Sequence, residues 1–212
     1  MKWAKRFFST YVKDDQEKTI VDIGSQAVPG QFSMRDLCPP SVRYIGVDFQ
    51  QANNVDVVLE DAYSYPFEDD SIDYIISSSC FEHSEFFWCS FLEIMRVLKP
   101  GGLFYLNAPS NGAFHRYPVD CWRFYPDSAL ALSRWGKKNG YDCEVLEQFT
   151  SLREVDIWFD SVSVFIKGSQ HIPLHEKRFI DEFPGEYMNA SCYPNIENFI
   201  NYQVMVNISE NP

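Results

Sequence analysis

VDIGSQ, residues 21–26, joins a short apolar, β-branched run to a glycine. A strand that ends there must turn sharply, and Gly24 lets its backbone come close to a ligand. Four further segments follow in order: YIGVDF at 44–49, EDA at 60–62, SIDYIISS at 71–78 and LKPGG at 98–102. Apolar, β-branched runs near 19–23, 43–47, 55–59, 72–77, 102–107, 143–149 and 160–167 predict strands, mostly with turn or helix signals between them. This alternation predicts an α/β fold, a mostly parallel sheet covered by helices.

Helical spacing of Phe87, Phe91, Ile94 and Leu98 predicts a helix between Ser84 and Leu98, ended by Pro100, Gly101 and Gly102. LFYLNA is then the next strand. A second helix is expected to take Pro126 as its first residue and to stop near Asn139 and Gly140, after two lysines that suit a helix carboxyl end. Residues 1–17 read as an amphipathic helix with Lys2, Lys5 and Arg6 on its solvated face. From Gly168 the rhythm is lost. Pro173, Pro184 and Pro194 are mixed with Phe179, Phe183, Tyr187, Tyr193 and Phe199, a composition that packs rather than floats. Residues 1–168 are therefore expected to form one domain, and 169–212 an extension acting as a lid, a wrap or a homodimer contact.

A chain of 212 residues that is 45% hydrophobic and 17% aromatic can bury one substantial core. Its formal net charge of −12 disfavours a nucleic-acid partner, since phosphate binding needs a basic face. Cys38, Cys80, Cys89, Cys121, Cys143 and Cys192 show no paired C-x-x-C spacing. Neither a zinc site nor a disulfide scaffold is suggested, and a reduced cytoplasmic setting fits. Charges interrupt the first residues where a signal peptide needs its apolar run, and no segment approaches a membrane span. The sequons at Asn189 and Asn207 then read as chance.

Asp22, Gly24 and Ser25 form the turn after the first strand, with Pro29 and Gly30 where a helix or its preceding loop would begin. Gln26 occupies the second glycine position of the dinucleotide fingerprint G-x-G-x-x-G, where a pyrophosphate demands close approach. That departure disfavours a nicotinamide cofactor. Asp48 ends the second strand roughly 24 residues after Gly24, placed to accept both hydroxyl hydrogens of a ribose or to cap the next helix. Asp61 and Ala62 follow the third strand, where a carboxylate can accept an adenine amine. Phe49 either covers one face of that ring or packs in the core.

These residues resemble the class I S-adenosylmethionine-dependent methyltransferases. The resemblance rests on Asp61, Ala62, Pro66, Phe67, Asp70, Ser71, Ile72 and Asp73, then Glu82 and His83, then Leu98–Gly102, and it covers about residues 19–167. It implies a Rossmann-like seven-stranded sheet in the order 3-2-1-4-5-7-6 with strand 7 antiparallel, helices on both faces, and S-adenosyl-L-methionine as cofactor. Ser77, Ser78 and Ser79 would then line the methionine and methyl end.

Between LFYLNA and Pro126 lies PSNGAFHRYPVDCWRFY, a long aperiodic loop of the kind that is usually functional. It leaves the carboxyl end of the fifth strand, the sheet edge where such folds bind ligands. His115, Arg116, Tyr117, Asp120 and Arg123 are candidate substrate residues, and the cations suit an anionic acceptor group. Asp120 could instead pair with Arg116 or Arg123 to hold the loop, with Trp122 and Phe124 as anchors. The stretch from His115 to Gly136 is similar to methyltransferases of bacterial surface-polysaccharide biosynthesis, which implies a sugar, a sugar nucleotide or a small polar glycan decoration as acceptor. His83 and His115 are the candidate bases for a hydroxyl acceptor, and either could be structural instead. No metal constellation stands out. A noncatalytic S-adenosylmethionine-binding module and a nicotinamide-dependent reductase are the competing readings.

Overall fold

The computed structural model describes residues 2–14, 17–27, 30, 32–153 and 157–203. Eight strands form one sheet: β1 (Lys18–Ile23), β2 (Val42–Asp48), β3 (Val57–Val58), β4 (Ile72–Ser78), β5 (Leu98–Pro109), β6 (Cys143–Ser151), β7 (Asp160–Lys167) and β8 (Tyr187–Cys192). Their spatial order is β3-β2-β1-β4-β5-β7-β6-β8. Strands β1 to β5 pair in parallel, while β7 runs antiparallel to both β5 and β6. The expected seven-strand order is present, and β8 is an addition, paired antiparallel to the outer side of β6.

Strand pleating divides the core into two layers. On β1 and β4, Ile20, Tyr74 and Ile76 face α1 (Lys2–Tyr11), whose Trp3, Phe7, Phe8 and Tyr11 are buried against them. The alternate residues Val21, Ile23 and Ile75 face α2 (Phe87–Val97) and α3 (Asp127–Lys138), which contribute Phe91, Ile94, Met95 and Leu130. Helix α2 ends where Leu98 becomes extended, so β5 begins at Leu98, before Pro100 and Gly101 rather than after them. Pro126 caps α3 instead of occupying its first turn, and Asn139 closes it.

The α1 face departs from expectation. Among its described residues the link between β1 and β2 carries a 3-10 turn at Met34–Leu37 and no longer helix, and β3 is two residues long. Pro29, expected near a helix start, lies outside the described residues, as does the sequon Asn207. Arg6 is not a solvated residue of α1: it pairs with Glu186 at 2.7 Å and its guanidinium lies 3.7 Å from the ring centroid of Phe183. Lys2 meets the other oxygen of Glu186, and together the two cations lower that carboxyl to about 2.

The segment after Gly168 wraps the molecule. A short helix α4 (Phe179–Glu182) places Phe179 against Trp3 and Tyr11, and Tyr187 packs on Phe149. Beneath them Glu147, fully buried, accepts the Tyr11 hydroxyl and the amides of Phe179 and Ile180. Thus one carboxylate of β6 ties α1 to the start of α4.

Candidate functional site

A cleft of about 620 Å³ opens at the carboxyl ends of β1, β2 and β4, within the range of small-molecule sites. Gly24 forms its floor with φ +80°, a conformation that glycine adopts without strain. A Cβ there would lie 2.6 Å from the Cys80 sulfur, so the two strand exits meet only because position 24 has no side chain. Ser79, leaving β4, is itself left-handed at φ +51° and donates its amide to the Asn107 carbonyl.

Asp48 is buried at the cleft wall. One oxygen accepts the Gln26 amide at 3.2 Å and the other the Phe49 amide at 2.7 Å. Each oxygen thus keeps acceptor capacity for a ligand hydroxyl. Gln26, Phe49, Ala62, Ser78 and Ser79 line the same cleft, and Phe49 is an exposed ring on its wall rather than a core residue.

Other expected cofactor residues lie elsewhere. Asp22 shares its strand face with Ile20, and its carboxylate accepts the Tyr44 hydroxyl behind the cleft; burial raises it to about 7. Ser25 donates to the Asn54 carbonyl. Asn54 in turn bonds the Ser25 carbonyl, the Tyr44 hydroxyl and Arg35, so these residues brace the turn from outside. Asp61 accepts the Tyr63 amide at 2.9 Å in a local turn, leaving Glu60 and Tyr63 to line the cleft on either side of it. Ser77 bonds back to the Ile23 carbonyl.

The far end of the cleft is walled by Cys80, Phe81, His83, Ser84 and, from the long loop, Tyr117, Pro118 and Val119. Apart from Tyr117, the expected substrate residues do not line it. Arg123 and Asp120 face each other, with a two-pronged contact at 2.5 and 2.8 Å, and Asp120 also accepts the His115 amide. The guanidinium holds the Asp120 carboxyl well below the usual carboxylate range. The two residues are paired with each other, the arrangement of the pairing alternative. Arg116 is exposed, with its Nε on the Pro118 carbonyl at 3.1 Å. The loop is pinned to the segment after β4: the amides of Cys121 and Trp122 donate to the Glu82 carbonyl, and the Trp122 indole donates to Ser84.

His83 turns Nδ1 to the Val119 carbonyl, and its ring stands edge-on to His115 at 5.0 Å. Beside it Glu82 is buried, and desolvation raises its carboxyl to about 7. Glu82, His83 and His115 present ligand-type atoms within 4.8 Å of one another, a grouping that sequence spacing did not suggest because the loop supplies the third member.

Residues 21–106 match the model of a methyltransferase domain. This part of the chain is similar to a methyltransferase domain. The chain is 29% identical over 136 residues to an uncharacterized methyltransferase of Mycolicibacterium paratuberculosis, covering 58% of this chain and 52% of the relative. A protein of Mycobacterium avium matches to the same extent, so the chain spans about half the length of the curated relatives it matches. Among solved structures, the methyltransferase fold is shared with the 1,6-didemethyltoxoflavin-N1-methyltransferase of Burkholderia thailandensis (TM-score 0.60, 13% identity, 79% of this chain and 78% of that one). It is also shared with the [4+2]-cyclase SpnF (TM-score 0.57, 16% identity, 79% and 81%) and a SAM-dependent methyltransferase from Aquifex aeolicus (0.50, 16%, 78% and 88%). The matched segment thus includes the carboxyl half of β1 and all of β2 and β4, the strands at whose ends the cleft opens. No helix among the described residues is long and apolar enough to cross a membrane.

Proposed function

We propose that this chain binds S-adenosyl-L-methionine in the cleft and methylates an oxygen or nitrogen of a small polar acceptor entering beside Tyr117–Val119. The observation that carries this reading is Asp48, buried at the end of β2 with unused acceptor capacity on both oxygens, above a glycine floor that a single Cβ would block. When bound, the cofactor supplies an electrophilic methyl group on a sulfonium centre. Asp48 would hold the ribose, Phe49 and Ala62 the adenine, and Ser78 and Ser79 the methionine end. Tyr117, Pro118 and Val119 would exclude water and orient the acceptor, which is most of what an in-line displacement asks of an enzyme. Arg116, exposed next to Tyr117 and bonded to the Pro118 carbonyl, supports an anionic acceptor. The likeness of residues 115–136 to surface-polysaccharide methyltransferases supports a sugar nucleotide or a glycan decoration.

Gln26 lines the wall where a pyrophosphate would need glycine, which weighs against a nicotinamide reductase. Calorimetry with S-adenosylmethionine, S-adenosylhomocysteine and NAD tests the cofactor. The two methionine-derived ligands are expected to bind with micromolar-scale affinity, and tight NAD binding with no response to either would sink the reading. The fold also houses a cyclase, so methyl transfer needs its own test. An acceptor screen following S-adenosylhomocysteine formation provides it, and ligand binding without turnover on any polar acceptor would favour a noncatalytic module.

A further inference from the structure

We infer that Glu82, His83 and His115 form a binding site for a divalent first-row transition metal ion such as Zn²⁺. Two features beyond proximity point to a cation. First, both imidazoles turn Nδ1 toward a main-chain carbonyl, His83 to Val119 and His115 to Ala113 at 3.1 Å. A carbonyl only accepts, so each Nδ1 carries the proton and each Nε2 is left as a lone pair, the arrangement that orients histidine ligands in metal sites. Second, Glu82 is 1% exposed, and its Oε2 is buried with no hydrogen-bond partner. Its Oε1 lies 3.7 Å from the His83 Nε2.

That distance separates an ion from a shared proton. A hydrogen bond between the two atoms would require about 2.7–3.2 Å. Two ligand atoms each about 2.0–2.1 Å from a common ion are roughly 3–3.5 Å apart at ordinary coordination angles. The pair is thus too far apart for a direct hydrogen bond and near the span of two ligands. The His115 ligand atom lies within 4.8 Å of the other two, on a half-exposed loop position able to close on them. Arg123 is the cation nearest the cluster, 3.5 Å from the His115 Nδ1, and Asp120 neutralises it through both guanidinium nitrogens. Two imidazoles and one carboxylate favour zinc, iron or cobalt over magnesium or calcium. Three protein ligands leave coordination positions open. Activation of an acceptor oxygen there rests on the methyl-transfer reading, whereas metal binding itself does not.

The test is a titration of the full chain, stripped with a chelator, with Co²⁺, followed by visible absorption. One equivalent per chain is expected, with ligand-field bands that Zn²⁺ abolishes by competition. Glu82→Gln, His83→Gln and His115→Ala should each weaken binding by more than the roughly 10–100-fold typical of losing an outer-shell partner. His115→Ala alters a loop side chain, so its circular dichroism should match the parent and keep the result interpretable. No stoichiometric uptake, uptake unchanged in all three variants, or thiolate charge-transfer bands placing the metal on a cysteine would overturn the site. Because the readout is spectroscopic, it stands or falls separately from cofactor binding.

Discussion

At the residue scale the site turns on where single carboxylates point. Asp48→Ala should weaken S-adenosylhomocysteine binding by about 1.5–3 kcal/mol, the range for hydrogen bonds to a charged group. Calorimetry on the folded variant measures it, and an unchanged dissociation constant would move the ribose site elsewhere. Gly24→Ala should cost about 1–3 kcal/mol of stability, because a left-handed backbone must then carry a Cβ that collides with Cys80. A thermal melt equal to the parent's would contradict that. Gly24 and Asp48 were legible in the sequence because strand ends fix them: one must turn, the other sits where a pleated strand meets the ligand edge. Asp22 and Asp61 stand outside the cleft lining for local reasons. Strand parity sends Asp22 to the opposite face, toward Tyr44, and a two-residue turn captures Asp61 through the Tyr63 amide.

At the element scale the seven strands and the helices α2 and α3 could be read from periodicity, since each buries a stripe of matching spacing, while the order of the strands came from the resemblance to class I methyltransferases. Strand β8 could not, because YMNASC has little apolar alternation and pairs only once β6 is in place. The side-chain bracing among Arg35, Tyr44 and Asn54, which supports the described residues after β1, was equally hidden. The long loop was recognised as special, but its cations were assigned to substrate when one of them is committed to Asp120. Arg123→Ala should therefore loosen the loop, raising limited proteolysis between residues 110 and 125 and weakening acceptor use while leaving S-adenosylhomocysteine affinity nearly intact. Arg123→Lys should rescue it only partly, since lysine lacks the planar fork. Cleavage at the parental rate in Arg123→Ala would mean that the Asp120 contact does not hold the loop.

At the scale of the whole molecule, Glu147 couples the first helix to the last. Burial raises its carboxyl to about 7 despite three hydrogen-bond donors. Because the folded state binds the proton more tightly than the unfolded chain does, its stabilising contribution is complete below about pH 4.5 and is lost as pH rises through 7. Glu147→Gln should consequently gain stability relative to the parent between about pH 5 and pH 8. Parallel thermal melts check the sign, and a difference independent of pH would remove Glu147 from the account. Ending the chain at Gly168 should prevent stable folding. It uncovers the surfaces buried by Phe179, Ile180 and Tyr187, each worth about 1.5–3 kcal/mol, against a total stability of only about 5–15 kcal/mol. A soluble, cooperatively melting fragment would show the wrap to be dispensable. The same wrap bears on solubility through its outermost strand. At one margin of the sheet β3 offers just two residues, too short to template another chain. At the other, β8 is itself partly covered, since Ala190 pairs with Ile200. Both margins are thus guarded against strand addition, and nicking the chain between Cys192 and Ile200 should promote edge-to-edge polymerisation, which light scattering before and after the nick would detect.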